Sequence, residues 1–379
     1  MIAWVGDNII SSLGFTTEEN YRAVESLRSG LALRESGKRL QEPYMASLID
    51  KERLTESFNA ISPDSNKYTP LEQAAILSVC DAVSNVDINL AGSRVLFLLS
   101  STKGNVYLLD TDEKTFSREH LYLGYSAQLI ADFFKNPNTP LVISNACISG
   151  ACAQIAAMRE LESGLYDYAV VTGVDFLSDF IVSGFQSFKA LSQEVCRPFD
   201  NARNGLNLGE AASTIIYKRV DDTNAVSGIV LRNGAVRNDA NHISGPSRTG
   251  EGCFLAVQAA SQGVKPDEIA FVNAHGTATP YNDQMEAVAL TRAGLNNVPV
   301  NSLKGCFGHT LGAAGVLESV VSAHALAEGT VIPSYGFSVG SEEYPLNVIT
   351  QPTSTRNNHY LKLLSGFGGC NAALLFQKI

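Results

Sequence analysis

Cysteine pairs are missing from this sequence: its seven cysteines fall at irregular spacings and none forms a CxxC pair, so neither a disulfide framework nor a zinc site is expected. Charge is sparse too, at 17% of residues, and acids outnumber bases to give a net charge of -10. That balance argues against nucleic acid and anionic membrane as partners, because both need an accessible basic surface. No run of about 18 consecutive apolar residues occurs, so no membrane span is expected. The start, Met1 to Asp7, lacks the basic flank and long apolar stretch of a signal peptide. A cytoplasmic protein with reduced thiols is the expectation, and any one of those thiols could be a nucleophile.

What is present is apolar residue, 45% of 379, enough to fill a sizeable core. β-Branched apolar runs alternate with stretches that read as helix, which predicts an α/β architecture with covered sheets. The clearest strand candidates are Ile2 to Val5, Val95 to Leu99, Leu141 to Ser144, Tyr168 to Gly173, Ala212 to Tyr217, Ile269 to Asn273 and Leu361 to Leu364. No Pro-, Ser- or charge-rich linker divides them. The polar tract from Asp50 to Asn66 reads as loop-like.

Two segments share a plan but little sequence: Asn145 to Gly164 and Lys304 to Gly329. Each opens with polar, reactive side chains and continues into a helix of small and apolar residues. Helices that are small and apolar all round belong in the centre of a fold. A duplicated fold is therefore expected, its two central helices meeting across a pseudo-dyad with chemistry at their N-termini.

Three clusters carry that chemistry. Ser144-Asn145-Ala146-Cys147-Ile148-Ser149-Gly150 puts Cys147 where a strand turns into the first small-residue helix. A helix N-terminus favours the thiolate through its dipole and unpaired N–H groups. A buried structural cysteine is the equal alternative for this segment alone. Asn273 to Asp283 places His275, Thr277 and Thr279 after another strand, and Ser302 to His309 places Lys304 and His309 before the second helix. Read singly, these are a surface loop and a helix cap.

Together, Cys147, His275, Lys304 and His309 resemble the elongating β-ketoacyl synthases of fatty acid and polyketide synthesis. The resemblance runs through Ser11-Ser12-Leu13-Gly14, Cys196-Arg197-Pro198-Phe199-Asp200, Gly209-Glu210, Asn238 to His242, the His275 and Lys304 clusters and Gly366-Phe367-Gly368-Gly369. It implies a five-layer αβαβα thiolase fold of two similar halves, 1–218 with the nucleophile and 219–379 with the histidines, Lys304 and the glycine-rich gating loop. It also implies a dimer, with itself or with a related ketosynthase-like subunit.

The same resemblance implies that Cys147 carries the acyl group as a thioester and that the N–H groups of Cys147 and Phe367 form an oxyanion hole. His275 and His309 would donate hydrogen bonds to the enolate left by decarboxylation, with Lys304 and Glu318 in support. Thr277, Thr279 and Gly368 would meet the substrate, Phe367 would gate it and Phe185 would wall the acyl pocket, although a core phenylalanine is the plainer reading of Phe185. The substrate arrives on the phosphopantetheine arm of an acyl carrier protein; no permanently bound cofactor and no metal is expected. Lys103, Lys189, Arg197 and Arg203 are candidates for the carrier's docking patch. Three rivals stand beside this reading: a non-catalytic, chain-length-determining partner subunit, a priming synthase, and a thiolase using Cys370. Retention of Cys147 weighs against the first, and His309 in place of asparagine against the second. Cys370 stands where the family has threonine, which weighs against the third.

Overall fold

The computed structural model describes residues 1–35, 40, 42–110, 115–221 and 227–379. In chain order its strands are β1 (Ile2–Ile10), β2 (Ala32–Arg34), β3 (Tyr44–Ser47), β4 (Val95–Ser100), β5 (Leu141–Ile143), β6 (Tyr168–Asp175), β7 (Leu208–Gly209) and β8 (Ala211–Arg219). They continue with β9 (Ile229–Asn238), β10 (Ile269–Asn273), β11 (Val300–Asn301), β12 (Thr330–Val331), β13 (Thr353–Ser354), β14 (His359–Gly366) and β15 (Cys370–Lys378). The α-helices are α1 (Thr17–Glu25), α2 (Lys51–Ile61), α3 (Pro70–Ala82), α4 (Leu123–Phe133), α5 (Ser149–Glu162), α6 (Asp179–Ser187), α7 (Glu251–Ala260), α8 (Pro280–Arg292), α9 (Lys304–Phe307) and α10 (Ala314–Glu328).

Ten strands form one sheet in the order β11-β10-β14-β15-β9-β1-β8-β6-β4-β5. Counted from either edge inward, the order is the third, second, fourth, fifth and first strand of its own half. Pairing direction repeats as well. β4 is parallel to β5 and β6, as β10 is to β11 and β14. β8 runs antiparallel to both its neighbours, and so does β15. The halves join where β1 meets β9 antiparallel, Ile2 opposite Leu231 and Ala3 opposite Val230, the seam a pseudo-two-fold axis requires.

Helices α3 and α4 cover the outer face of the first half, and α7 and α8 that of the second. Between the halves lie α5 and α10, whose apolar side chains share one core with strands of both. The layers are therefore α, β, α, β, α, the duplicated α/β fold that the sequence led us to expect. The small residues explain the central crossing. A Cβ on Gly315 would stand 2.5 Å from the Ala151 nitrogen, and one on Gly150 would stand 2.9 Å from the Val316 nitrogen. Gln154 spans the crossing, donating to the carbonyls of Gly150 and Gly315 and accepting from the Tyr217 hydroxyl.

All seven strand candidates are strands. The tract from Asp50 to Asn66 is corrected: α2 fills most of it. Asp50 caps that helix by accepting from the amides of Glu52 and Arg53, while Leu54 and Phe58, one turn apart, are buried. Among the described residues, no helix is long and apolar enough to cross a membrane.

Candidate active site

Cys147 stands in the turn between β5 and α5. Ser149 ties that turn by accepting from the Asn145 amide at 2.8 Å and donating to the Ala146 carbonyl at 2.6 Å. Ala146 takes φ of 45°, a left-handed backbone that a non-glycine residue holds only under constraint. Burial pushes the Cys147 thiol up to about 12; nearby Cys370 adds to this, and Lys304 and a hydrogen bond from the Phe367 backbone oppose it. Burial thus opposes at this thiol the stabilisation that the start of a helix offers a thiolate.

His275 leaves the end of β10 in a loop that anchors four successive amides, His275 to Ala278, on α8. Glu286 accepts from His275 and Gly276, both at 2.7 Å, and Asp283 accepts from Thr277 and Ala278 at 2.9 and 3.1 Å. Both carboxyls are buried, and burial followed by the charge on Asp283 pushes Glu286 up to about 7. The Thr277 and Thr279 hydroxyls lie 2.8 Å apart.

His309 follows α9. Its Nδ1 accepts from the Leu311 amide at 3.2 Å, so a neutral ring carries its proton on Nε2, and that nitrogen has no partner among the described residues. The rings of His275 and His309 stand edge to face with centroids 5.0 Å apart. Burial, helped by Lys304 and Lys362, holds both imidazoles well below the usual range. Lys304 Nζ meets Glu318 Oε1 at 2.7 Å with both side chains buried.

One ligand atom each from Cys147, His275 and His309 falls within 4.8 Å of the other two. Such closeness suits a metal as well as a reacting oxygen. A metal-bound histidine, however, normally donates its outer N–H to a carbonyl or carboxylate. His309 Nδ1 accepts instead, leaving a proton where a metal would bind. The arrangement fits converging hydrogen bonds to one oxygen.

A cavity of about 550 Å³ opens onto these groups. Its lining includes Thr277, Thr279, Phe185, Phe188, Asn204, Leu206, Phe367 and Cys370. Phe367 is 40% exposed, stacked on Phe185 at 5.8 Å and met edge-on by Phe188 at 5.4 Å. Phe185 is half-buried and does both: it lines the cavity and packs on the cluster that includes Ile181, Val182 and Leu206. Gly366 brings the β14–β15 turn onto Cys147, since a Cβ there would stand 2.9 Å from Cys370 Sγ and 3.2 Å from the Cys147 nitrogen. Gly368 is outside the lining: its amide donates to the Ile243 carbonyl and its own carbonyl accepts from Asn238 Nδ2. Of the basic candidates, Lys189 lines the cavity, Arg203 donates to the Asp200 and Pro280 carbonyls and Arg197 pairs with Glu194.

Sequence reasoning missed Glu286, Phe188 and Lys362. Glu286 sits in a helical stretch, where an acid three residues after Asp283 was the available signal. Lys362 interrupts the apolar run Tyr360 to Leu364 and was readable as a charge inside a buried strand.

A duplicated, mixed-sheet architecture with a thiol and two imidazoles at the convergence of its halves is a thiolase-like fold. Solved structures agree on the fold: a ketosynthase in complex with its chain length factor from Xenorhabdus doucetiae has a TM-score of 0.88 at 23% identity, covering 100% of this chain and 98% of that one. A β-ketoacyl synthase from Burkholderia phymatum gives 0.84 at 22%, covering 100% and 99%. By sequence, the β-ketoacyl synthase N-terminal domain matches residues 15–223 and the C-terminal domain residues 229–338, so the chain belongs to the β-ketoacyl synthase family. Its curated relatives include 3-oxoacyl-[acyl-carrier-protein] synthase 2 of Staphylococcus aureus, 30% identical over 259 residues. The enzyme of the same name from Vibrio cholerae is 32% identical over 265 residues. These matches take in 64% and 65% of this chain and 62% and 63% of the relatives' own lengths.

Proposed function

We propose that the chain is a β-ketoacyl-acyl carrier protein synthase, an acyltransferase for fatty acid, polyketide or aryl polyene synthesis. The observation that carries this reading is the convergence of Cys147, His275 and His309 within 4.8 Å, facing a cavity walled by Thr277, Thr279 and Phe367. In this reading the two halves divide near Lys218, the first bringing the nucleophile and the second the groups that stabilise charge.

In the first step the Cys147 sulfur bonds to the acyl carbonyl, the pantetheine sulfur departs and the thiol proton leaves with it. The oxyanion formed on the way accepts from the Cys147 and Phe367 amides, each worth about 3 kcal/mol in the barrier. A malonyl thioester then binds, its arm against Thr277 and Thr279, and loses carbon dioxide. The electron pair left behind makes an enolate, whose oxygen accepts from His275 and His309. Its carbon attacks the acyl carbonyl, the new carbon-carbon bond forms and Cys147 departs as thiolate to regain a proton from water. Lys304, paired with Glu318, supports the imidazoles electrostatically. Phe367 gates access for the second substrate, a motion its neighbouring Gly368 and Gly369 permit.

The partners in this reading are an acyl carrier protein, whose phosphopantetheine arm brings the substrate, and a second subunit, identical or related. A cytoplasmic setting suits the seven free cysteines. A second reading, a non-catalytic subunit that sets chain length beside an active synthase, draws on the fold neighbours that pair a ketosynthase with a chain length factor. One experiment separates the two. Purified protein and Cys147→Ala are incubated with carrier proteins bearing different acyl chains, and intact mass is measured. An acyl mass gain confined to the unmodified protein is the expected outcome, and no gain from any donor favours the non-catalytic reading.

A further inference from the structure

Lys362 is a buried ionisable group that the reaction above leaves unused. It lies within β14 opposite Asn273 of β10, and its side chain is fully buried. A buried ammonium is costly without a carboxylate and acceptors around it. Here Nζ lies 2.5 Å from Glu318 Oε2, an ion pair more than an aligned hydrogen bond. It donates to the Leu363 carbonyl at 2.9 Å and reaches the Ala274 carbonyl at 3.4 Å. Lys304 holds the other oxygen of the same carboxylate. Ala274 immediately precedes His275, so Lys362 grips both the root of the imidazole's loop and the carboxylate on α10.

We infer that Lys362 is a positioning residue of the active site, which fixes Ala274 and Glu318 and places one net positive charge beside His275 and His309. The inference rests on the ketosynthase reading for its catalytic meaning. Two ammoniums and the Glu318 carboxylate leave that single charge within the Lys362–Glu318–Lys304 cluster; the Glu286 carboxyl, which burial pushes up to about 7, is turned to the His275 and Gly276 amides instead. The charged and titratable groups around Lys362 are Glu318 from α10, Lys304 from α9, Glu286 from α8 and the two imidazoles. Burial pushes Lys362 down to about 8, with Glu318 opposing, so near pH 7 it is still mostly protonated. Burial would push Glu318 up, but the two lysines outweigh it and hold the carboxyl below its usual range. The retained charge has two consequences. It disfavours a proton on either imidazole, and it stabilises an enolate as negative charge develops.

The test uses the full chain labelled with 15N-histidine, its imidazole signals followed from about pH 5 to pH 9. Variants are Lys362→Met, Lys362→Gln and Lys362→Arg. Lys362→Met should fold, because Lys304 still pairs with Glu318; if it does not, Lys362→Gln, equally uncharged but with an amide that can donate to the Leu363 carbonyl, carries the comparison through. In Lys362→Met the cluster is neutral, so His275 or His309 should take up a proton at higher pH than in the parent. Carbon dioxide release from a malonyl carrier protein should slow about tenfold. Lys362→Gln should move the titration as Lys362→Met does, and Lys362→Arg, which keeps the positive charge, should restore the parent titration. Superimposable titrations and rates overturn the inference, and so does slower release with unchanged imidazoles, which would make Lys362 packing alone. A shifted titration in a chain whose parent releases no carbon dioxide leaves this inference standing and defeats the ketosynthase reading.

Discussion

The two halves differ most where their topology is most alike. In each, the third strand leads to a central helix at the cavity. In the first half β5 passes to α5 through residues 144–148 alone, a turn that presents one thiol. In the second, β11 reaches α10 only after α9 and a further turn, and that longer path carries both Lys304 and His309. The scaffold is doubled, but the connections differ: one half offers a single thiol and the other a buried group of paired charges and imidazoles.

The sharpest way to break this comparison is to strip the second half and keep the first. His309→Ala should lower carbon dioxide release by roughly 100- to 1,000-fold, yet Cys147 should still accept an acyl group, as intact mass will show. Equal loss of both steps would mean that the halves do not divide the chemistry. Next in size is the pH response of the thiol. Because burial pushes Cys147 up to about 12, its alkylation by iodoacetamide should rise about tenfold per unit between roughly pH 7 and pH 9. A rate already flat below about pH 8 would show the helix terminus winning after all. Gly315→Ala tests the joint between the halves, where a Cβ would stand 2.5 Å from the Ala151 nitrogen. Urea unfolding should show a loss of about 1–3 kcal/mol, with Gly124→Ala, where a Cβ would meet nothing within 4 Å, as a control outside the crossing. The smallest effect should come from Phe188→Ala, which removes one ring from the clasp on Phe367. A change of about 1 kcal/mol, read as a several-fold shift in acyl loading without a change in thermal melting, is expected.

Much of the architecture could be read from sequence because it follows from periodicity and residue size. Continuous apolar runs marked the buried strands, and Gly, Ala and Ser marked the helices that cross closely. β9 and β15 were not among the clear candidates: Arg232, Asn233 and Gly234 interrupt the first, and Cys370-Asn371 opens the second without a β-branched run. The tract holding α2 misled because its polarity hid a capping aspartate and the Leu54–Phe58 spacing. At the site, clusters contiguous in sequence were visible. Contacts made across the fold were not, because the partners of Lys362, at Glu318 and Ala274, and the three-ring clasp of Phe367 depend on how strands and helices from distant segments pack.

The crossing of α5 and α10 has a consequence for how the chain is made. Helix α5 is complete long before α10 is synthesised, and until then its small, apolar surface has no cover from the second half. The turn that holds Cys147 can form early, but its enclosure waits for Lys304, His309 and Phe367. A nascent chain holding only the first half therefore offers an uncovered apolar helix to its surroundings, the kind of surface that chaperones bind and that aggregates without them.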